Sequence, residues 1–592
     1  MCDITGHLAL HKTNKIIRRR VLPSASHGLP DSIHPVLRRV YLSRNLTDVA
    51  ALEKSLHALL PPQGMAGLDA AVVLLEEALI QNQRIVVVAD FDADGATSCA
   101  VMVRALRSMG AQDVLYVVPN RITHGYGLTP AIVEVAATLA PDLLVTVDNG
   151  ISSVEGVAAA RAHGMRVLIT DHHLPGSELP AAHAIVNPNC PDNTFPSKCL
   201  AGVGVVFYVM IALRARLRVS GWFDATRAAP NLGALLDLVA LGTVADMVPL
   251  DHNNRVLVAQ GLMRIRSGVA CAGIGALLKV SGRAPEQVSS TDLGFFVGPR
   301  LNAAGRLDTM SLGVECLLAD DPAEAQALAV RLDALNRERR AIEAEMQTQA
   351  LDDLGRLVLG GAADLPWGLT LYDQTWHPGV IGILASRIKD RLNRPVIAFA
   401  PALDGDLRGS MRSIPGLHAR AAIAAIDVRY PKLIRYFGGH AMAAGLTLHQ
   451  DQLETFAAAF DAEARHHLTA EDLCDVILSD GELDSADLGL ELAELLRNSG
   501  PWGQGFPEPI FDGVFQCLGS SIVGERHIKL KVSAAVGSAP LDAIVFNGHD
   551  QPFPNPGTSL HLAYRLDVNQ YRGRHNPQLV VEHLVPSDTL LS

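Results

Sequence analysis

Short, wholly apolar runs alternate with segments of helical periodicity between about residues 84 and 170. Strands are expected at 85–89, 113–118, 142–147 and 166–170, and helices between them at 97–109, 131–140 and 151–163. Strands with apolar interiors, separated by helices, are typical of a parallel sheet whose two faces are both covered. The pattern therefore predicts an α/β domain in this part of the chain.

A long amphipathic helix is predicted from Pro322 to Leu351, after a mixed and mostly helical stretch at 232–310. Its apolar residues recur at three- to four-residue spacing, and Arg337, Arg339 and Arg340 are expected on its other faces. A helix of this length suits a strut between two domains, although an ordinary surface helix fits the pattern nearly as well.

The remainder of the chain divides into two parts. Residues 365–465 favour a second α/β block, and from about residue 475 short alternating strands are separated by glycine and proline. In one of these strands, 527–533, the apolar residues alternate with one histidine and with Lys529 and Lys531. The alternation predicts a small β-barrel of the OB type, which binds single strands through a basic face.

Composition indicates a globular protein of several domains. The chain has 592 residues, of which 48% are hydrophobic and 19% are charged, and its length predicts about four domains. The eight cysteines form no C-x-x-C pair, which argues against a zinc knuckle or a disulfide framework and favours the reducing cytoplasm. No apolar leader is visible, and the longest apolar stretch, 200–213, is shorter than the roughly 20 residues of a membrane helix.

Acidic residues stand where apolar runs end. The motifs are Asp90-Phe91-Asp92-Ala93-Asp94-Gly95, Asp148-Asn149-Gly150, Asp171-His172-His173 and Asp246. The last follows the apolar run 235–244, which is interpreted as a fourth strand. Because parallel strands end at one edge of a sheet, these acids should converge on one crevice. So many acids need cations to neutralise them, and the pattern predicts a two-metal hydrolytic centre.

Two other kinds of site and one objection to a nucleic-acid partner can be set aside. A calcium loop could begin with the triple aspartate, but its twelfth position holds Val101 rather than an acid, and the segment joins a strand to a helix. No Gly-Lys dipeptide occurs, which excludes a P-loop. The net charge of −12 argues only weakly against a nucleic-acid partner, because many of the acids belong to the predicted centre.

In their order and spacing, these motifs resemble the DHH phosphoesterase superfamily. Aspartate at position 90, where many members have histidine, resembles the RecJ-like branch. The resemblance implies a first metal ion held by Asp94, Asp148, His172 and Asp246, and a second held by Asp90 and Asp92 with Asp148 bridging. It also implies catalytic roles for Asp92, Asp148, His172 and His173, with His173 near the scissile phosphate. Oxygen-rich ligands with one imidazole suit two Mn²⁺ or Mg²⁺ ions.

Further motifs suggest phosphate recognition. Arg121 precedes a glycine-containing loop, and Gly298–Arg306 is expected to form a glycine-punctuated turn that carries Arg300, Asn302 and Arg306. For any one arginine, a surface charge or an ion pair is about equally plausible. The stretch 437–445 resembles the glycine-rich motif of the DHHA1 domain, in which Gly438 and Gly439 allow close approach of a phosphate.

The resemblance completes the expected substrate wall. His440 would donate a hydrogen bond, and a helix after it would point its N-terminal amides at the anion. The other expected contributors are Ser386, Arg387 and Arg412, with Lys529 and Lys531 on the barrel.

The resemblance extends over about residues 75 to 585 and implies an α/β protein with five parts. These are an N-terminal segment (1–75), a DHH phosphoesterase domain with a parallel sheet (76–320), a connecting helix (321–358), an α/β DHHA1 domain (359–470) and an OB-type β-barrel (471–592).

The implied activity is a 5′→3′ exonuclease that hydrolyses single-stranded DNA to mononucleotides with a metal-activated water, in DNA repair and recombination. A cytoplasmic monomer without membrane contact is expected, which a single-strand-binding protein and a helicase would supply with substrate. The alternatives are a DHH hydrolase of short oligonucleotides or small phosphate compounds, and an inactive single-strand-binding relative.

Overall fold

The computed structural model describes residues 15–23, 28–121, 124–359, 365–402, 405–524, 526–534, 538–548, 553–571 and 573–587. Within these ranges the chain forms two five-stranded sheets, a closed barrel and a two-stranded sheet. None of the helices in the described ranges is long and apolar enough to cross a membrane.

The N-terminal segment packs against later parts of the chain. Its elements are β1 (Lys15–Arg19), α1 (Pro35–Leu42), two 3₁₀ turns (Val49–Leu52 and Leu56–Ala58) and α2 (Leu68–Ile80). The boundary expected at residue 75 falls inside α2, whose Leu75 and Leu79 are buried in one core. Because both sides of that boundary share this core, α2 belongs to the following lobe.

The first lobe contains the predicted parallel sheet. Its strands are β2 (Ile85–Ala89), β3 (Val114–Val117), β4 (Leu143–Val147), β5 (Arg166–Thr170) and β6 (Ala184–Val186), in the order β3-β2-β4-β5-β6. The helices among and after them are α3 (Ala93–Ser108), α4 (Pro130–Ala137), α5 (Val154–Ala162) and α6 (Gly202–Val219). Every residue of β2 and β4 is buried, so the lack of charge in these strands reflects coverage of both faces.

A helical half completes this lobe. Its elements are α7 (Leu236–Ala245), α8 (His252–Arg266), α9 (Ala272–Val280), α10 (Ser290–Asp292), a π-helical turn (Leu293–Val297), α11 (Gly298–Leu307) and α12 (Ser311–Leu318).

Two predictions in this half were wrong. The apolar run 235–244 is helix α7 rather than a strand; most of its residues are buried, and a fully buried helix lacks the polar face that would reveal its period. The expected turn at 298–306 is helix α11.

Helix α13 (Pro322–Leu359) connects the first and second lobes, as the strut interpretation predicted. Leu328 and Leu332 lie in the core of the first lobe, whereas Met346 and Leu354 pack into the second. Arg339 was expected on a face other than the apolar stripe; it is buried and donates hydrogen bonds to Glu343 and Asn336.

The second lobe holds a mixed sheet. Its elements are β7 (Leu369–Tyr372), α14 (Ile381–Leu392), β8 (Val396–Pro401), β9 (Asp406–Arg412), α15 (Ala419–Arg429), β10 (Tyr436–Gly439), β11 (Ala443–His449) and α16 (Leu453–His467). The helix expected after His440 is absent at that point of the described chain, because β10 and β11 form an antiparallel pair. Backbone hydrogen bonds of a strand pair, not a helix terminus, therefore surround the glycine-rich motif.

The C-terminal lobe confirms the predicted barrel. After β12 (Asp475–Ser479) and α17 (Leu490–Ser499), strands β13 (Phe511–Val523), β14 (His527–Ser533), β15 (Leu541–Val545), β16 (Ser559–Tyr571) and β17 (Arg574–Pro586) close in the order β13-β14-β15-β17-β16. The apolar residues of β14 are buried, and Lys529 and Lys531 lie on the outer face. Strand β12 pairs in parallel with β1, which ties the N-terminal segment to this lobe.

Candidate metal centre and phosphate-binding cleft

The triple-aspartate loop presents its carboxylates at the carboxyl end of β2. Asp90 Oδ1 accepts a hydrogen bond from the Phe91 amide at 2.8 Å. Asp92 caps α3, since its Oδ1 accepts hydrogen bonds from the amides of Asp94 and Gly95, each at 3.0 Å. A Cβ on Gly95 would lie 2.4 Å from the Asp90 carbonyl oxygen, so the tight turn requires glycine.

Asp94 is held by the first turn of α6. Its Oδ2 accepts a hydrogen bond from the Gly202 amide at 2.6 Å, and its Oδ1 accepts one from the Val203 amide at 3.0 Å. A Cβ on Gly202 would lie 2.6 Å from Asp148 Oδ1, so glycine allows the two acids to share this space. Sequence reasoning missed Gly202, whose only signal is a glycine that opens an apolar helix.

Asp148, His172 and Asp246 meet beside this loop. Asp148 follows β4 with a φ of +62°, a left-handed conformation that aspartate tolerates better than most residues. His172 Nε2 lies 3.1 Å from Asp148 Oδ1 and 3.5 Å from Asp246 Oδ2. Within the described chain, neither His172 Nε2 nor Asp148 Oδ1 has a hydrogen-bond partner, although both atoms are buried.

The predicted ligands fall into compact groups. Potential ligand atoms of Asp94, His172 and Asp246 all lie within 4.8 Å of one another, as do those of Asp90, Asp92 and Asp148. The structure thus brings all six predicted metal ligands to one edge of the sheet, in two adjacent groups.

The centre has an excess of buried negative charge. Burial, together with repulsion from neighbouring carboxylates, raises the pKa of Asp90, Asp148 and Asp246 well above the usual range. Burial and the charge of Asp92 raise the pKa of Asp94 to about 7. Burial, helped by repulsion from His173, lowers the pKa of His172 to about 3, which leaves the ring neutral with a lone pair.

These residues fit a pair of hard divalent cations. An orphaned carboxylate oxygen faces an orphaned imidazole nitrogen, and cations between them would satisfy both atoms and the surrounding charge. A donor set of carboxylates with one imidazole suits Mn²⁺ or Mg²⁺.

His173 is oriented by Asp171. His173 Nδ1 lies 2.8 Å from Asp171 Oδ1, and the amides of His172 and His173 donate hydrogen bonds to the same oxygen. Burial alone would lower the pKa of His173, but the hydrogen bond and charge of Asp171 raise it to about 9. Asp171 was counted among the converging acids but was not predicted as a site residue; its position directly before two histidines was the available signal.

Rings from both lobes enclose His173. The His440 ring stacks on it at a centroid distance of 5.8 Å, which brings the glycine-rich motif of the second lobe to the metal centre. On another side, Tyr126 Oη lies 3.3 Å from each ring nitrogen of His173. His173 therefore lies at the junction of the two lobes.

Three arginines in this cleft have no carboxylate partner. Within the described residues, no acidic oxygen lies within ion-pairing distance of Arg121, Arg306 or Arg412. The Arg121 guanidinium lies 4.2 Å from the Phe91 ring centroid, and Arg306 and Arg412 donate hydrogen bonds mainly to backbone carbonyls.

Burial dominates the pKa of these arginines. It lowers the pKa of Arg121 and Arg412, and burial with repulsion from the other arginines lowers that of Arg306 to about 9. An anion bound between these arginines would offset both the cost of burying their charges and their mutual repulsion.

Four side chains predicted to contact substrate also have partners within the protein. Arg300 Nη2 lies 2.9 Å from Asp333 Oδ1, and Asn302 Oδ1 accepts a hydrogen bond from the Ala93 amide at 2.8 Å. Arg387 Nε donates to Glu343 Oε1 at 2.7 Å, and Lys529 Nζ lies 2.9 Å from Asp542 Oδ2. These contacts hold elements of the fold together, and phosphate binding by these four side chains stays a prediction.

The remaining predicted contacts are less constrained. Gly439 has a φ of +146°, and a Cβ there would lie 2.4 Å from Ala444 Cα, so the strand pair requires glycine. Space around Gly438 is open to 4 Å. Ser386 is half-buried on α14, and Lys531 is exposed on the barrel.

Comparison with known proteins gives the chain a family. The DHH family, N-terminal domain, matches residues 84–243, the DHHA1 domain matches 367–466, and the RecJ OB domain matches 479–583. A curated relative from Dickeya dadantii, named single-stranded-DNA-specific exonuclease RecJ, is 54% identical over 97% of this chain and 100% of its own length.

Solved structures agree with this assignment. The crystal structure of RecJ from Thermus thermophilus in complex with Mn²⁺ has a TM-score of 0.78 and 30% identity, covering 96% of this chain and 79% of that one. Its complex with Mg²⁺ has a TM-score of 0.72 and 29% identity, covering 96% and 78%. The chain belongs to the RecJ family of DHH proteins.

Proposed function

We propose that this chain is a metal-dependent exonuclease that degrades single-stranded DNA from its 5′ end to mononucleotides, in DNA repair and recombination. The observation that carries the proposal is the juxtaposition of unneutralised buried acids with arginines that lack carboxylate partners, in one cleft between two lobes. Acids of this kind bind cations, and arginines of this kind bind the phosphates of a nucleic acid. The names of the relatives support the same activity.

We assign the metal ligands in two sets. Asp94, Asp148, His172 and Asp246 would hold one ion, and Asp90 and Asp92 would hold the other with Asp148 shared between them. The ions are Mn²⁺ or Mg²⁺, as in the Thermus thermophilus structures. Bound cations of this type supply an activated water and neutralise charge on a phosphoryl transition state.

His173 supplies a proton donor next to these ligands. With a pKa of about 9, its imidazole is protonated near neutral pH, and Nδ1–H donates to Asp171. The proton on Nε2 is then directed toward an oxygen of the scissile phosphate or of the leaving group. Asp92, Asp148 and His172 complete the proposed catalytic set.

Arg121, Arg306 and Arg412 form the proposed binding site for a terminal phosphate. Three guanidinium groups on both lobes could each donate charge-assisted hydrogen bonds to one phosphate. A 5′-phosphate anchored there would fix the distance from the strand end to the metal ligands, which accounts for release of single nucleotides from the 5′ end. His440 and the glycines Gly438 and Gly439 line the wall from the second lobe.

The proposal includes a path for the substrate. The cleft between the two lobes would admit one strand, and the outer face of the barrel, with Lys531, would guide it. Ser386 on α14 is a further proposed contact. The protein would act as a monomer on strands exposed by a helicase and coated by a single-strand-binding protein. The five domains expected from the sequence remain our proposal, with α2 assigned to the DHH domain.

The experiment compares 5′-labelled and 3′-labelled single-stranded oligonucleotides with Mn²⁺, each with and without a 5′-phosphate. Immediate release of the 5′ label as mononucleotide is expected, and a blunt duplex should be degraded much more slowly. Early release of the 3′ label would contradict the polarity. An intact strand together with turnover of dinucleotides or pyrophosphate would indicate a small-substrate hydrolase instead.

A further inference from the structure

Phe295 is an exposed aromatic residue in a helical turn that packs against the end of α7. Its side chain is 74% exposed, more than either of the other exposed phenylalanines of the described chain, Phe546 and Phe553. It lies in the π-helical turn Leu293–Val297, and such turns occur frequently at functional sites. Single exposed apolar side chains are common on protein surfaces, so the case for Phe295 rests on its position in the fold.

The π-helical turn lies against the last turn of α7, which ends at the proposed ligand Asp246. A Cβ on Gly294 would lie 3.1 Å from Val244 Cγ1, and one on Gly298 would lie 3.2 Å from Ala245 Cβ. Phe295 is thus positioned between two glycines that contact the residues immediately before the metal ligand.

Met247 is a second exposed apolar residue at this end of α7. It follows Asp246 directly, its side chain is 67% exposed, and its φ is +61°. A left-handed conformation is uncommon for a residue of this type, and backbone strain of this kind tends to occur at functional sites. Two exposed apolar side chains therefore flank the end of α7 that carries the metal ligand.

Phe296, the residue after Phe295, packs against another side chain of the protein. The Arg283 guanidinium lies 3.5 Å from the centroid of the Phe296 ring, so Phe296 has a partner within the protein. The turn then continues into α11, which carries Arg306 into the cleft. Phe295 is the aromatic residue of this turn whose ring remains exposed.

We propose that Phe295, together with Met247 at the same end of α7, is a stacking platform for one nucleobase of the bound strand, a few nucleotides from the scissile bond. The inference rests on the proposed function and adds a specificity-determining contact to it. An aromatic platform accepts any base, since every base has a π-face. Bases in a duplex are already stacked and paired, so such a platform selects single strands.

The test uses oligonucleotides that carry one abasic position, moved stepwise from the 5′ end. Phe295→Ala should raise KM for the intact strand roughly 5- to 100-fold with little change in kcat, the range expected for loss of one base–aromatic stack. In the wild type, an abasic residue at one particular position should cause a similar loss. At that position, Phe295→Ala should show no further loss, and Phe295→Trp should restore the wild-type response.

Val219→Ala is the matched control. Val219 is 87% exposed at the far end of α6, whose first residue, Gly202, contacts Asp94. With 18 residues in this helix, the control lies about 27 Å from the centre. This variant should behave as the wild type.

Two outcomes separate the inference from the proposed function. If the wild type degrades the strand and Phe295→Ala keeps both its KM and its sensitivity to the abasic position, the platform is refuted and the exonuclease proposal stands. If the wild type degrades no strand, the exonuclease proposal fails, and fluorescence anisotropy with the same oligonucleotides tests the platform alone. Equal affinities of wild type and Phe295→Ala would then overturn it.

Discussion

Two regions of the molecule bury charged side chains, and they neutralise them differently. At the junction of the N-terminal segment with the barrel lobe, Arg44 Nη1 lies 2.8 Å from Asp480 Oδ1, with side chains 1% and 0% exposed. Nearby, the buried carboxylate of Asp512 lies 2.8 Å from Arg19 Nη2, although the Arg19 side chain itself is largely exposed. At the carboxyl edge of the first sheet, by contrast, carboxylates lie beside other carboxylates and a neutral imidazole.

The difference separates structural from functional charge. A buried charge must be neutralised. At the junction, each acid has a basic partner within the same chain, so the contact fixes how the N-terminal segment joins the barrel lobe. At the metal centre, the missing positive charge has to come from outside the chain, and the arginines of the cleft likewise require an external anion.

The largest effect on activity is expected from a substitution that removes a negative charge from the metal centre. Asp148→Asn should lower exonuclease activity by about a thousandfold or more, because it disrupts the residue shared by both proposed metal sites. Initial rates on a 5′-labelled oligonucleotide with saturating Mn²⁺ measure this effect. Asp113→Asn, at the opposite edge of the sheet and paired with Arg84, is the matched control. Near-normal activity of Asp148→Asn would contradict the view that the buried acids of the metal centre serve catalysis while those of the junction serve stability.

The converse change removes a charge from the junction. Asp480→Ala should lower the free energy of unfolding by about 3–5 kcal/mol, because it leaves the Arg44 guanidinium buried without its partner. Urea unfolding followed by tryptophan fluorescence reports on this region, since Arg44 also lies over the Trp502 ring. Asp31→Ala, which breaks an exposed pair with Arg38, should change the unfolding midpoint very little. Similar unfolding curves for the two variants would argue against a structural role for the buried pair.

The position of the metal centre could be predicted from the sequence because its geometry follows from topology. Asp90, Asp148 and Asp171 each follow a parallel strand, and parallel strands end at one edge. Asp246 also lies at this edge, but it follows a buried helix, for which the sequence had predicted a strand. An apolar run of this length, buried on most sides, has no period that distinguishes helix from strand.

The ion pairs of the basic residues could not be predicted in the same way. Arg300, Arg387 and Lys529 have acidic partners that come from other elements of the fold, and only tertiary packing brings these partners together. Nothing in the sequence distinguishes these basic residues from Arg306, which packing leaves without a carboxylate. The glycine-rich motif was located, but the hairpin around Gly439 depends on a strand pairing that the motif alone does not encode.

A smaller effect is expected from the cleft arginines. Arg306→Ala should raise KM for a 5′-phosphorylated strand by roughly 10- to 100-fold, the range expected for loss of one charged hydrogen bond. The loss should be smaller for a strand with a 5′-hydroxyl, because that strand lacks the terminal phosphate. Steady-state kinetics on the two substrates measure the difference, and equal losses on both would place Arg306 away from the 5′-phosphate.

The smallest effects are expected from Lys529 and Lys531, two lysines of strand β14 in the barrel. Lys531→Ala should weaken binding of single-stranded DNA by a few-fold and reduce the salt dependence by about 0.7 in log–log slope. Lys529→Ala should have less effect, because Lys529 is already paired with Asp542. Anisotropy titrations at several salt concentrations provide the measurement. The reverse order of the two effects would mean that the internal ion pair does not compete with DNA.

The most direct measurement is a calorimetric titration of the metal-free protein with Mn²⁺. Two ions should bind per chain and raise the thermal stability, because the ions bind the folded state and relieve its buried negative charge. Asp148→Asn should bind fewer ions more weakly, whereas Asp480→Asn should bind both as the wild type does, because Asp480 lies outside the metal centre. Absence of binding by the wild type, or unchanged binding by Asp148→Asn, would contradict the claim that the unpaired acids are a metal centre.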